Sequence, residues 1–243
     1  MLEISNVTLR DERQLSVLSD ISLSVHAGEI LGIAGVSGNG QTELGNLLAG
    51  TEQAEQGQIK IHNRDFTNQS PQALMKAGVG RIPENCRANV VEEMSVAQNM
   101  IIEKIDTFIT RGVIDRKKML DYANQLIKNY QIKAAATDKI RTLSGGNLQK
   151  VVLARVLEQQ PAVIIVSQPT RGLDVGATEY VRQKLLEQCE SGAAILLISE
   201  DLDEILALSD RIAVMYEGQI MDILATENTN VEQIGLLMSG VKT

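Results

Sequence analysis

The stretch from Glu29 to Gly50, EILGIAGVSGNGQTELGNLLAG, is where residue type and spacing point most directly to chemistry. The apolar run Ile30 to Ala34 predicts a short buried strand. A glycine-dense turn follows, Gly35-Val36-Ser37-Gly38-Asn39-Gly40, and a helix opens at Gln41-Thr42. Strand, glycine turn and helix start in that order make a phosphate cradle. Glycines let backbone N–H groups turn inward, and the helix N-terminus adds partial positive charge. The phosphate-binding pattern is Gly, four variable residues, then Gly-Lys-Ser/Thr. Gly35, Gly40 and Thr42 match it, but Gln41 stands where the lysine belongs. On these residues alone, an ordinary tight connection is an equal alternative.

A second constellation is Leu143-Ser144-Gly145-Gly146-Asn147-Leu148-Gln149, just ahead of the amphipathic run KVVLARVLEQQ. Ser144 offers a hydroxyl, and Gly145 and Gly146 offer unhindered N–H groups at a helix start, where the macrodipole favours an anion. An N-cap role accounts for Ser144. It does not account for two successive glycines, which destabilise a first turn unless something must approach closely.

The elements that must position these groups follow from periodicity. Leu2 to Leu9 and Val17 to Val25 alternate apolar and polar, as half-buried strands do, and Gln58 to His62 makes another strand. Gly78 to Glu84 reads as a buried strand ended by Pro83. From Val90 to Glu158 the alternation disappears, and Val90–Ile102, Lys117–Tyr130 and Gly146–Glu158 have helical spacing. Ala162 to Val166 and Ala193 to Ile198 are continuous apolar runs typical of central parallel strands. Helices are expected over Thr178–Cys189, Leu202–Leu208 and Val231–Met238, with a strand at Arg211–Tyr216 and a hairpin return through Met221. Strands alternating with helices argue for an α/β fold with a mostly parallel sheet, an N-terminal antiparallel β part and an inserted helical subdomain. The expected organisation is one domain, its core 1–86 and 159–243 and its helical subdomain about 87–158.

Composition excludes several classes. With 243 residues, 44% of them hydrophobic, the chain can bury a substantial core. A net charge of −8 disfavours a nucleic-acid-tracking surface, which needs clustered Lys and Arg. The first twenty residues hold charges and no apolar core, so no secretory signal is expected. Cys86 and Cys189 match no metal spacing and read as two ordinary thiols of a reducing cytosol.

LSGG-x-x-Q before a helix, about a hundred residues after the glycine turn, resembles the signature of an ATP-binding cassette, the ATPase of ABC transporters. The run Gln168-Pro169-Thr170-Arg171-Gly172-Leu173-Asp174-Val175-Gly176-Ala177 extends the likeness over essentially the whole chain. It is most similar to the second, C-terminal cassette of double-cassette importers for simple sugars or nucleosides, leaning to the nucleoside branch. The resemblance implies a P-loop NTPase core that binds ATP between one cassette's P-loop and another's signature. It assigns Gly35, Val36, Ser37, Gly38, Asn39, Gly40, Gln41 and Thr42 to the nucleotide, with Thr42 as a magnesium ligand. Ser144, Gly145, Gly146, Asn147 and Gln149 fall to a partner's ATP, Glu84 to the Q-loop position, and Leu173 and Asp174 to the D-loop. The implied partners are the N-terminal cassette of the same full-length chain, membrane permease subunits and, indirectly, a solute-binding protein, with no nucleic acid. The implied location is the cytoplasmic face of the cell membrane.

The likeness fails at the catalytic positions. Gln41 replaces the P-loop lysine, Ser167 and Gln168 replace the Asp-Glu after the helical insert, and Glu200 replaces the switch histidine. Gln168 cannot accept a proton, and a carboxylate at position 200 would repel a γ-phosphate. The aromatic that stacks on adenine is absent: none precedes Phe66, and Leu9 and Val17 lie in that neighbourhood instead. The expectation is an importer's ATPase subunit whose own P-loop site hydrolyses poorly, with a weakened magnesium site, and whose signature completes a partner's site. The alternatives are a self-sufficient ATPase homodimer and a soluble cassette protein outside transport.

Overall fold

The computed structural model describes residues 1–11 and 13–241. In chain order the first elements are β1 (Leu2–Arg10), β2 (Ser16–Val25), β3 (Glu29–Ala34), α1 (Gln41–Leu48), β4 (Gln56–Ile61), β5 (Arg64–Asp65), α2 (Pro71–Lys76) and β6 (Val79–Ile82). Then come α3 (Val96–Ile101), β7 (Ile109–Thr110), β8 (Val113–Ile114), α4 (Arg116–Asn129) and α5 (Gly145–Leu157). The chain continues through β9 (Val163–Ser167), α6 (Val175–Glu190), β10 (Ala194–Ile198), α7 (Leu202–Leu208), β11 (Arg211–Tyr216), β12 (Gln219–Ala225) and α8 (Val231–Met238). Contacts divide it into two units, 1–81 with 161–169 and 182–243, and 82–160 with 170–181.

The first unit is built on a six-stranded sheet of order β12-β11-β3-β10-β9-β6. β3 runs parallel to β10 and β11, β10 runs parallel to β9, and β12 returns antiparallel along β11. Every residue of β3 and β10 is buried, which is why both read as unbroken apolar runs rather than alternating ones. A second sheet, β2-β1-β4-β5, is antiparallel and keeps the alternation that one wet face requires. Leu18, Ile21, Ile4, Ile33, Leu44 and Ile165 meet in the shared core of this unit.

The second unit is mainly helical, with a core that joins Met100 and Ile101 of α3, Ala123 and Leu126 of α4, and Val151 and Val152 of α5. Two expectations change here. The helix over 90–102 forms only from Val96, because Ser95 and Gln98 make a capping box that fixes its start. The β-type pairing expected to vanish returns as the β7–β8 hairpin, closed by Arg111 and Gly112 at φ 54° and 80°. Both central residues at positive φ match the twist of a two-residue hairpin. In the first unit the sequence reading passed over α2, where Ser70 accepts the Ala73 N–H and Pro71 opens the helix. Among the described residues no helix is long and apolar enough to cross a membrane.

Candidate functional site

In the first unit β3 delivers the chain into the glycine turn, and α1 begins at Gln41. Gly40 sits at the helix N-cap with φ 104°, and a Cβ there would come within 2.9 Å of Leu18 and 3.0 Å of the Val17 carbonyl. Only glycine fits. No side chain caps α1, so its first N–H groups remain available to an anion. Val36, Ser37 and Gly38 are exposed on the turn, Asn39 is half-buried, and Thr42 is exposed one residue into the helix. Asn39 anchors the turn: its Oδ1 accepts the Glu217 N–H at 2.9 Å and its carbonyl accepts the Gly218 N–H at 3.0 Å.

Gln41 is 7% exposed, and among the described residues its Nε2 has no hydrogen-bond partner. The amide lies against Gly35, where an added Cβ would meet Nε2 at 2.5 Å and the Met215 carbonyl at 2.8 Å. A buried donor left unsatisfied is destabilising by roughly 1–3 kcal/mol and seeks an acceptor. Its placement in a phosphate-type turn makes a phosphate oxygen a suitable one.

Ser167 closes β9, and its hydroxyl lies 3.5 Å from a Cβ built on Gly45 of α1. Gln168 takes a left-handed backbone, φ 48°; its N–H donates to the Ile198 carbonyl and its Oε1 accepts the Glu200 N–H at 3.3 Å. That amide is therefore tied to the end of β10, and Glu200 is exposed beside it. Thr42 and Ser167 offer hydroxyl oxygens to a cation, and neither side chain is anionic. Among the described residues no group of three or more His, Cys, Asp or Glu is placed to hold a metal ion. Leu9 is a core residue at 4% exposure, so it offers no face to a base.

The second unit brings together Glu84, the residues around α5 and the Leu173–Asp174 turn. Ser144 stands at the N-cap of α5 but makes no capping hydrogen bond; its Oγ instead accepts from Asn147 Nδ2 at 2.9 Å. The capping role expected from the sequence is thus not performed, and the first-turn N–H groups keep their capacity. Among the described residues nothing lies within 4 Å of a Cβ added at Gly145, and only Ala177 does at Gly146, at 3.4 Å. Among the described residues no contact requires either glycine. An open depression here is lined by Lys133, Ser144, Gly146, Asn147, Lys150 and Asp174. Partial burial, with the neighbouring Lys133 charge, lowers the pKa of the Lys150 ammonium, while Asp174 acts the other way. Asp174 Oδ1 accepts the Ala177 N–H at 2.8 Å and opens α6; Leu173 is half-buried before it.

Two placements were not legible beforehand. Gln149 is buried and accepts from Cys86 Sγ, so it faces inward while Ser144 and Gly145 are exposed. Burial pushes the Cys86 thiol up to about 12, which keeps it a protonated donor. Glu84 is paired with Arg171 rather than left open.

A parallel sheet with a strand–glycine turn–helix at its centre and an inserted helical unit defines a P-loop nucleotide-binding fold. The chain belongs to the ABC transporter family, whose profile matches residues 18–171. It is 41% identical to the nucleoside import ATP-binding protein NupA of Lactococcus lactis subsp. cremoris (strain MG1363), over 99% of this chain and 48% of that one. It is 38% identical to the guanosine import ATP-binding protein NupO of Bacillus subtilis (strain 168), with the same coverage. A solved nucleotide-free ATP-binding cassette from an ABC transporter superposes with a TM-score of 0.78 at 26% identity, over 93% of this chain and 92% of that one. The chain spans about half the length of the curated relatives it matches.

Proposed function

We propose that this chain is the nucleotide-binding domain of an ABC importer for nucleosides or simple sugars, a single cassette with a helical subdomain at about 87–158. On this reading it binds ATP, works against membrane permease subunits fed by a solute-binding protein, and pairs with another cassette as the C-terminal half of a longer chain. The relatives named above support the substrate class, with nucleosides favoured.

The observation that carries the finer reading is the contrast between Gln41, buried and neutral in the cradle, and the unobstructed space at Gly145. Phosphoryl transfer rests on positioning and charge stabilisation. The P-loop site, Gly35 to Thr42, holds a triphosphate through backbone N–H groups and the Gln41 amide. It lacks a cation at position 41, a carboxylate at 167, a general base at 168 and a histidine at 200. It therefore retains nucleotide without brisk turnover. Ser144, Gly145, Gly146 and Asn147 clamp the γ-phosphate held by the partner cassette, and Leu173 and Asp174 face that same site. Gln149 supports the clamp from beneath.

Mixing this chain with its partner cassette tests the proposal. Hydrolysis by this chain alone is expected to be negligible and to appear on mixing. Gln168→Glu leaves the mixed rate within about twofold, whereas Gly145→Asp abolishes it. Equal loss in both variants would overturn the asymmetric assignment.

A further inference from the structure

Net charge is distributed very unevenly along this chain. From Lys104 to Lys150 the sequence carries ten Lys or Arg against four Asp or Glu, while the whole chain carries 23 against 31. Within this basic stretch lies the β7–β8 hairpin, a two-stranded element with little to hold it and a largely aliphatic exposed surface. Val113 is 70% exposed, Ile109 43% and Ile114 36%. Arg111 sits in the turn between the two strands, and Arg116, Lys117 and Lys118 follow at once as the first three residues of α4.

That placement runs against local stability. The N-terminus of a helix favours anions, and cations in the first turn oppose its dipole. The first turn of α4 nonetheless contains three cations and no acidic residue. Lys118 has a structural use, since its Nζ donates to the Thr107 carbonyl and lies 5.3 Å from the centre of the Phe108 ring. Asp115 is committed to capping, accepting the Lys118 N–H at 3.0 Å. Among the described residues Arg111, Arg116 and Lys117 make no ion pair. Three exposed aliphatics thus stand beside three unpaired cations on nine consecutive residues.

We propose that the β7–β8 hairpin and the first turn of α4 form a contact site for an anionic lipid surface. The aliphatics seat at the boundary between headgroups and acyl chains, and the cations meet lipid phosphates. The charge pattern identifies this occupant. A protein interface core is depleted in lysine and enriched in aromatics. A nucleic-acid surface would present aromatic rings for stacking, and the exposed apolar residues here are all aliphatic. The chain as a whole, at −8, is repelled by an anionic membrane, so attraction confined to this stretch also orients it. The contact is additional to any with a permease and stands apart from the nucleotide reading.

Flotation with lipid vesicles tests it. The chain is mixed with vesicles of phosphatidylcholine alone or with roughly 30% phosphatidylglycerol, at low and high salt. Partition into the anionic vesicles is expected to exceed that into neutral ones by about tenfold or more, and to fall with salt. The triple variant Arg111→Glu, Arg116→Glu, Lys117→Glu drops to the neutral level. Val113→Asp, at a site too exposed to affect folding, weakens partition several-fold. Equal flotation with neutral vesicles, an unchanged triple variant, or binding removed by nuclease treatment would overturn the proposal. Turnover in detergent with the partner cassette is unchanged in both variants, so loss of lipid binding and failure of the cassette reading give separate results.

Discussion

In the first unit the side chain at the charge-bearing position of the cradle is folded out of solvent, Gln41 lying beneath Gly35 at 7% exposure. In the second, Ser144 and Gly145 are exposed and no described residue fills the space around Gly145. Both places present an uncapped helix N-terminus, α1 and α5. They differ in what surrounds it. At the first the side chain of Gln41 is neutral and buried, while the second is an open depression with Lys133, Lys150 and Asp174 along it. One backbone device, a helix start opened by glycine, thus occurs twice with different charge and access around it. On the proposed reading the first retains a nucleotide and the second waits for one bound elsewhere.

The largest effect expected from breaking this contrast is at Gly145. An aspartate there meets no steric obstacle among the described residues, so the melting temperature stays within a few degrees, while mixed turnover falls by about 10²–10³-fold. A matching loss of stability would mean that the glycine serves packing instead. Gly35→Ala should do the reverse. Its Cβ collides with Gln41 and the Met215 carbonyl, which destabilises the fold by about 1–3 kcal/mol in urea titrations. Turnover per folded molecule with the partner cassette is expected to hold.

Gln41→Lys sharpens the comparison more gently. The ammonium enters a buried site, so the nucleotide-free protein loses stability. ATP then restores it, with affinity about tenfold above the parent and a new dependence on salt, read by thermal shift and equilibrium dialysis. A smaller effect is expected at Glu29, which opens β3. Burial alone would raise its pKa, but hydrogen bonds from the His26 N–H, at 2.6 Å, and from Arg211, at 2.9 Å, outweigh it and lower the value. A carboxylate depressed in the folded state contributes stability that is fully present above the ordinary carboxylate range. It is lost as pH falls through the folded value. Glu29→Gln should therefore flatten the urea midpoint against pH below about pH 5, and a parallel curve would remove the argument.

How much of this was legible depends on the distance over which each signal acts. β3, β9 and β10 were readable because strands buried on both faces are apolar throughout. The start of α1 was readable from Gly40 and Gln41, and that of α5 from Ser144 and its two glycines. α2 and the β7–β8 hairpin were missed although Ser70-Pro71 and Arg111-Gly112 mark them, because six-residue and two-residue elements carry too few positions for a period. The Ser95 capping box was also local, and would have trimmed the helix over 90–102. The pairing of Glu84 with Arg171, and the hold of Asn39 on Glu217, join residues far apart in sequence and leave no local mark. The orphaned Gln41 donor belongs to the same group: the sequence places an amide there, but only packing buries it.

The most direct measurement is inorganic phosphate release by the purified chain with magnesium and ATP, alongside retention of nucleotide in the same sample. The account predicts bound ATP and almost no phosphate. Brisk release, abolished by Gly145→Asp in the chain on its own, would contradict it and make this a self-sufficient ATPase.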